Sequence, residues 1–271
     1  MRPIVGVRDL ALAATIVIAL SRFVDGQLAW LMVAILMLAT ALGALQIIGS
    51  ADPAGSTAGV PIETLLPPAL AAAAGAGALR IVPIGLLLIP ALAVVAWFID
   101  RVVSTEARLA RASTPPSRAD RTAVLVNGLV AAFGGFVGIA AIASGGLSVT
   151  GGGIPPSTAG PFELGGLAVA DGLVAFLLGY RIAALRSSIV RDVAWMASTA
   201  AAVVTITAAV LRQIEIPGLL GPALLVLVLF LWDALHGSSP ARRRDPRRIA
   251  ETILLVVLGL VIVGWSIGLR T

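Results

Sequence analysis

Residues 27–49 read QLAWLMVAILMLATALGALQIIG and contain no charged side chain. Because an α-helix rises 1.5 Å per residue, a run of about 20 apolar residues is long enough to cross the hydrocarbon core of a bilayer. One apolar segment precedes this run and others follow it, at 4–23, 64–79, 81–99, 122–144, 164–180, 193–211, 216–235 and 249–269. The pattern predicts an all-α, polytopic bundle of transmembrane helices that forms a single membrane-embedded domain over 1–271.

The composition agrees with a membrane protein. Of the 271 residues 59% are hydrophobic and 12% are charged, whereas a soluble domain has about 25% charged residues. The pI near 11.3 is typical of nucleic-acid-binding proteins, but the arginines lie where membrane topology places them. We therefore expect an integral protein of the bacterial cytoplasmic membrane, with the lipid bilayer and not nucleic acid as its partner.

Several kinds of chemistry are excluded by missing residue types. The 19 Lys and Arg positions are all arginine, there is no cysteine, and the only histidine is His236. The chain can therefore form no lysine Schiff base, Walker lysine, disulfide, iron–sulfur cluster or histidine-rich metal site. We expect no metal and no cofactor, and the lack of familiar catalytic motifs makes an enzyme the less favoured class.

The arginines predict how the chain is threaded. They concentrate in the segment 100–121, in the turn after residue 180 and in the run 241–248, and none occurs in 145–163. Short cytoplasmic loops accumulate Lys and Arg, so loops 100–121 and 237–248 are predicted to be cytoplasmic and 145–163 to lie outside. The C-terminus is then outside, and the two cytoplasmic loops could bind a protein partner.

The first hundred residues allow two arrangements. Segment 64–79 is short, contains Pro67-Pro68 and has few large apolar side chains. If it spans, there are about nine spans with the N-terminus inside; if it is a re-entrant or surface segment, there are eight with the N-terminus outside. The two arrangements place nearly equal numbers of arginines on the cytoplasmic side, and we expect the arrangement with nine spans. The first segment resembles a signal peptide, although the long run after it favours an uncleaved helix.

A short stretch occurs twice. Residues 50–63 and 150–163 share Ser-Thr-Ala-Gly followed by proline and then by Glu63 or Glu163. With nine spans the segments 50–81 and 150–182 would face opposite ways, as the inverted repeats of secondary transporters do. A chance match in a chain this rich in small residues is the alternative.

Asp171 is the most informative polar residue. It lies eight residues beyond Glu163, or roughly 12 Å along a helix. A carboxylate at that depth costs about 2.5–3.5 kcal/mol on insertion scales. One interpretation is a substrate-binding or proton-coupling site with Glu163 and Thr205. The other is a protonated, structural aspartic acid hydrogen-bonded to Thr205 or Thr207.

Small residues predict close helix packing. Gly165, Gly172 and Gly179 recur every seven residues, and Gly134 and Gly138 form a GxxxG on the preceding segment. Such positions let helices approach closely in lipid. We expect them to pack segment 122–144 against segment 164–180.

A second polar group lies at the predicted cytoplasmic boundary. Asp233 and His236 are three residues apart, which places them on one helix face, and the other members are Glu251, Arg181, Arg186 and Arg191. The group predicts either a site for anionic lipid headgroups or ordinary interfacial charges.

Three functions follow as hypotheses. The first is a secondary permease or lipid-handling protein for a small or lipid-linked substrate, with Asp171 at its site. The second is a non-catalytic membrane scaffold or assembly subunit. The third is a lipid-headgroup enzyme at the cytoplasmic face, which requires Asp233, His236 and Glu251 to converge.

Overall fold

The computed structural model describes residues 6–49, 59–112, 114–143, 161–187, 189–214, 216, 218–236 and 246–268. These residues form helices and connecting turns, without a β-strand among them. The α-helices are α1 Val7–Ser21, α2 Gln27–Gly49, α3 Leu66–Arg80, α4 Leu88–Ala110, α5 Arg118–Ala143, α6 Pro161–Ala184, α7 Val190–Gln213, α8 Leu220–His236 and α9 Pro246–Gly268. A 3₁₀ turn, Ile62–Thr64, precedes α3. Each predicted apolar segment overlaps with one of these helices, which confirms an all-helical fold.

Six helices in the described part of the chain are long and apolar enough to cross a membrane. They are α2, α3 with the turn before it, α4, α5, α6 and α7, and α8 is a shorter apolar helix. They fit an integral membrane protein. The count of nine spans stays a prediction.

Helices α3 and α5 run parallel and are unusually close. Gly77 faces Gly138 and Ala74 faces Gly134, so residue numbers rise together on the two helices. A Cβ atom added to Gly77 would lie 2.4 Å from the Cα of Gly138. Only glycine permits this approach, because the contact joins two backbones.

Helices α5, α6 and α7 alternate in direction. Their contacts pair rising numbers on one helix with falling numbers on the next: Gly128 with Leu178, Gly135 with Val174, Gly172 with Thr205, and Gly179 with Ala200. Because α3 is parallel to α5, it is antiparallel to α6.

The bundle has two ends that differ in charge. We call one the arginine-rich end; it holds Arg108, Arg111, Arg118, Arg121, Arg181, Arg186 and Arg191. It is held together by contacts such as that of Arg111 with the Ile47 carbonyl at the end of α2. The opposite end holds Arg22, Arg80 and Arg212.

Two arginines at the opposite end fasten the α1–α2 turn to the end of α3. Arg22 donates to the carbonyls of Leu79 and Val82. Arg80 donates to the carbonyls of Ser21 and Val24 and to the Asp25 carboxylate. Burial, with a contribution from the charge of Arg80, lowers the pKa of the Arg22 guanidinium from its usual value. The carbonyls of Ser21 and Leu79 also accept backbone hydrogen bonds from Val24 and Val82, so the two arginines add side-chain donors to carbonyls in and just beyond the last turns of α1 and α3.

Helix α3 lies at the centre of the bundle, where it contacts α1, α2, α4, α5 and α6. Most of its residues are buried, including both prolines of its first turn. A surface position for segment 64–79 is therefore wrong. The segment has few large side chains because five neighbouring helices leave little room at most of its positions, and not because it lies at the membrane surface.

The segment 100–121, expected as a cytoplasmic loop, is mostly helical, and its side of the membrane stays a prediction. Helix α4 continues to Ala110 and stops before Pro115-Pro116, and α5 begins at Arg118. Val102, Val103 and Glu106 are buried, so this part of the segment belongs to the bundle and not to a solvated loop. Of the predicted loop 237–248, residues 237–245 lie outside the described residues.

The two loops of the proposed repeat, at 50–58 and 144–160, lie outside the described residues. The helices that follow them, α3 and α6, are antiparallel, so Glu63 and Glu163 lie at opposite ends of the bundle. This is the relation that an inverted repeat needs. The repeat itself stays a prediction, because the two loops that share the Ser-Thr-Ala-Gly stretch lie mostly outside the described residues.

Candidate functional site

Asp171 of α6 forms an ion pair with Arg212 of α7. The Nη2 of Arg212 donates to the Oδ2 of Asp171 at 2.5 Å. The side chain of Asp171 is 0% exposed and that of Arg212 is 17% exposed. Asp171 is thus completely buried within the bundle, and its charge has a partner that balances it.

Arg212 reaches inward to make this contact. Gly172 faces Thr205 across the α6–α7 interface, so Arg212 starts about six residues nearer the opposite end, roughly 9 Å above Asp171. Arginines in the last turn of a membrane helix usually extend their side chains outward to the interface. The inward orientation therefore depends on the Asp171 carboxylate.

The pair is only half satisfied. The Oδ1 of Asp171 and the Nε of Arg212 are buried and have no hydrogen-bond partner among the described residues. More than about 90% of buried polar groups in proteins have a partner, and an unpaired one costs about 1–3 kcal/mol, or more when charged. A free acceptor and a free donor on one buried pair are what a bound polar group, or a water, would need.

The neighbouring threonines do not play the predicted role. Thr207 donates to the Val203 carbonyl on its own helix. The hydroxyl of Thr205 lies against Gly172, where an added Cβ would be 1.9 Å from its oxygen. Asp171 therefore bonds to Arg212 and not to either threonine, and Thr205 forms part of the wall beside the pair.

Glu163 is not brought to Asp171. It lies exposed in the first turn of α6, at the opposite end. A separation of eight residues on one helix keeps its carboxyl roughly 12 Å from the level of Asp171. If Glu163 acts on a substrate, it does so at the entrance.

A second buried pair lies further along α6. Arg181 donates from Nη2 to Oε2 of Glu106 at 2.5 Å and from Nε to Oε1 at 3.3 Å. The side chains are 5% and 1% exposed. Both carboxylate oxygens are used, in the bidentate geometry that arginine favours with carboxylates.

The other residues of the predicted headgroup site are mostly engaged elsewhere. Arg186 donates to both oxygens of Asp233, at 2.6 and 2.9 Å. His236 stacks on Trp232, with ring centroids 4.5 Å apart, and its Nδ1 lies 3.0 Å from the Trp232 carbonyl. Arg191 is 92% exposed, and Glu251 is exposed near the start of α9. Because the acids already neutralise Arg181 and Arg186, these side chains do not form an open anion site.

The glycines pack, but against other helices than predicted. Gly134 and Gly138 contact α3, and Gly172 and Gly179 contact α7. Among the described residues, no atom lies within 4 Å of where the Cβ of Gly165 would be, so it makes no close contact with them. The expected use of these glycines between α5 and α6 is wrong, because that contact uses Gly128 and Gly135.

Two members of the buried pairs were not found from the sequence. Arg212 lies 41 positions from Asp171, and its place in the sequence is typical of an arginine at the membrane interface. Glu106 lies in the arginine-rich stretch that was assigned to a loop. For Glu106 the sequence offers one signal. The apolar pair Val102-Val103 lies just before it and extends the apolar pattern of α4 by a turn.

No group of three or more metal-ligating side chains is found within the described ranges. Comparison of the chain with protein-family models, with curated proteins and with solved structures finds no match. The function is therefore argued from the geometry of the buried pairs.

Proposed function

We propose that the protein is a secondary permease for a small or lipid-linked polar substrate, and that Asp171 and Arg212 bind this substrate. The observation that supports the proposal is the half-satisfied ion pair inside the bundle. Ionisable groups at membrane depth are costly and mark substrate or ion pathways in many transporters.

The unpaired atoms indicate the chemistry of the ligand. The Oδ1 of Asp171 can accept a hydrogen bond and the Nε of Arg212 can donate one. A hydroxyl, an amide, or an amine next to a carboxylate offers both functions at once. Without substrate, a water bonded to both atoms could serve as a placeholder.

Access to the site is proposed to come from the opposite end. Arg212 is partly exposed there while Asp171 is closed off, so outward movement of the Arg212 side chain would uncover the carboxylate. On the other side of Asp171, the complete Glu106–Arg181 pair lies ten residues further along α6, roughly 15 Å away. This pair would keep the arginine-rich end closed while the other end opens.

The other two hypotheses are less well supported. A headgroup enzyme needs Asp233 as a free acid or base, and both of its oxygens already accept from Arg186. A scaffold remains the alternative if the half-satisfied pair only holds α6 to α7. It predicts a protein partner bound through the cytoplasmic segments and no solute binding at Asp171.

The experiment begins with ligand binding to the purified full chain. Its thermal unfolding is measured with amino acids, polyols, sugars and short carboxylic acids, and solutes that raise the melting temperature are then tested for uptake into proteoliposomes. We expect Asp171→Asn to abolish both the shift and the uptake. The matched control, Asp192→Asn on the same α6–α7 pair of helices, should retain both because its carboxyl lies at the arginine-rich end.

Two results would contradict the proposal. Uptake that survives in Asp171→Asn would remove the residue from the site. Absence of any shift or uptake, together with co-purification of a partner, would favour the scaffold. Size-exclusion elution of Asp171→Asn as a single folded species separates loss of binding from loss of structure.

A further inference from the structure

A shallow groove opens between α4 and α5 at the arginine-rich end. Its volume is about 650 Å³, and it is open to the surroundings along one side. Its lining residues are Arg101, Arg118, Ala119, Thr122, Ala123 and Val126. It is separate from the Asp171–Arg212 site, which lies between α6 and α7.

Arg101 is held in place within this groove. Its Nε donates to the Oδ1 of Asn127 at 3.2 Å, and its guanidinium lies 5.4 Å from the ring centroid of Trp97. Asn127 is buried and so provides a fixed anchor. The contact uses Nε, so the terminal N–H groups remain as donors for charge-assisted hydrogen bonds to an oxyanion.

The two arginines of the groove lack an acidic partner. Across the described ranges, the salt bridges join Arg80, Arg108, Arg181, Arg186, Arg191 and Arg212 to carboxylates. Neither Arg101 nor Arg118 is among them. The groove therefore has two positive charges that the described part of the bundle does not neutralise, in contrast to Arg181 and Arg186.

The wall of the groove that α5 forms changes from charged to apolar. From Arg118 to Val126 the helix rises roughly 12 Å, and this wall passes from a guanidinium through Thr122 to Ala123 and Val126. The second guanidinium, that of Arg101, lies at the Val126 end of the groove, because it is bonded to Asn127. The apolar surface continues beyond the groove, because Val130 and Trp97 are exposed. A ligand that fits has a negative head and an apolar tail.

We infer that this groove binds an anionic phospholipid. Arg101 and Arg118 contact the phosphate oxygens of the headgroup, and Ala123 and Val126 contact the start of an acyl chain. Basic side chains at the cytoplasmic surface attract anionic lipids, and the guanidinium forms charge-assisted hydrogen bonds to phosphate. The site replaces the headgroup site that the sequence predicted around Arg181 and Arg186, whose charges are internally paired.

The test is native mass spectrometry of the purified full chain in detergent with equal amounts of phosphatidylglycerol and phosphatidylcholine. We expect preferential retention of phosphatidylglycerol and a decrease of about tenfold in the double variant Arg101→Gln/Arg118→Gln, which removes both charges. Arg191→Gln is the matched control, since it removes an arginine at the same end that lies outside the groove. It should leave retention unchanged.

A second variant tests the apolar half of the groove without changing charge. Val126→Trp fills the space beside Ala123 and should also decrease phosphatidylglycerol retention. The inference is overturned if phosphatidylcholine is retained equally, if Arg191→Gln lowers retention as much as the double variant does, or if Val126→Trp has no effect. Displacement of the lipid by millimolar inorganic phosphate would also overturn it, in favour of a soluble anion.

Discussion

Helix α6 contributes to two buried ion pairs that look alike in type and differ in completeness. Near the arginine-rich end, Arg181 uses two nitrogens to bind both oxygens of Glu106. Nearer the middle, Asp171 receives one hydrogen bond from Arg212, and each residue of that pair keeps a buried atom unpaired. Both pairs have a nitrogen–oxygen distance of 2.5 Å.

The difference separates a structural pair from a candidate site. Burying two charges is repaid only when the geometry is good and the remaining hydrogen-bonding atoms are satisfied. The Glu106–Arg181 pair meets this condition and needs nothing more. The Asp171–Arg212 pair does not, so it is the place in α6 where a further polar group would lower the free energy.

Cysteine labelling in intact cells establishes which of the two ion pairs lies nearer each side of the membrane, and an all-or-none result is expected. In intact cells a membrane-impermeant maleimide should label Glu163→Cys and should leave Gly59→Cys unlabelled until the cells are permeabilised. The reason is that the arginine-rich end is expected inside, and these residues lie at opposite ends. The native chain has no cysteine to interfere.

Labelling of both positions in intact cells would mean that α3 and α6 do not enter from opposite sides. Labelling of Gly59→Cys alone would reverse the orientation of the whole bundle. In the reversed case the Asp171–Arg212 site would open to the cytoplasm.

The largest loss of stability is expected from breaking the complete pair. Glu106→Gln leaves Arg181 buried without a carboxylate, which should lower the free energy of unfolding by about 3–5 kcal/mol. Asp171→Asn should lower the free energy of unfolding by a smaller amount, because Arg212 is partly exposed and can turn toward water at the end of α7. Denaturant unfolding of the purified variants in detergent measures both.

A double variant serves as the control for this prediction. Glu106→Leu with Arg181→Met removes both charges and should recover most of the stability lost in Glu106→Gln, since apolar replacement of a buried pair is often neutral. If Asp171→Asn lowers the free energy of unfolding more than Glu106→Gln does, the assignment of Glu106–Arg181 as the structural pair and of Asp171–Arg212 as the candidate site is wrong.

A smaller effect, of opposite sign at two positions, is expected from glycines on α6. Gly172→Ala places a methyl group 1.9 Å from the Thr205 hydroxyl and 3.2 Å from the Ala201 carbonyl, and overpacking of this kind costs about 1–3 kcal/mol. Gly165→Ala meets no atom of the described residues within 4 Å and should stabilise the helix by about 0.5–1 kcal/mol. Thermal unfolding compares the two, and equal effects would show that α6 and α7 are not in close contact beside Asp171.

Much of the fold could be predicted because apolar length is a local property. The run at 27–49 and the segments from 122 onward each needed only a count of apolar residues between charges. Segment 64–79 was harder, because the feature that made it doubtful, its lack of large side chains, reflects contacts with helices far away in the sequence. Glu106 was missed for a similar reason: neighbouring arginines suggested a loop, and burial by other helices cannot be read locally.

The candidate site was half predictable. A lone carboxylate inside an apolar run is conspicuous, so Asp171 was identified from its position alone. Its partner was not, because an arginine in the last turn of a helix fits the ordinary interfacial pattern. Finding Arg212 required the register of α6 against α7, which close contacts such as that of Gly172 with Thr205 determine and the sequence pattern does not.

The central position of α3 has a consequence for biosynthesis. The most apolar 18-residue stretch of Ile62–Arg80, which comprises the 3₁₀ turn and α3, has a mean hydropathy of 1.3, compared with 2.4 for that of α2, so this segment gains little by leaving the translocation channel for lipid on its own. The neighbour that it approaches most closely, α5, is synthesised later, after α4. We expect α3 to stay beside the insertion machinery until α5 emerges. In a chain whose synthesis stalls after α4, the innermost helix would therefore not yet be packed against α5.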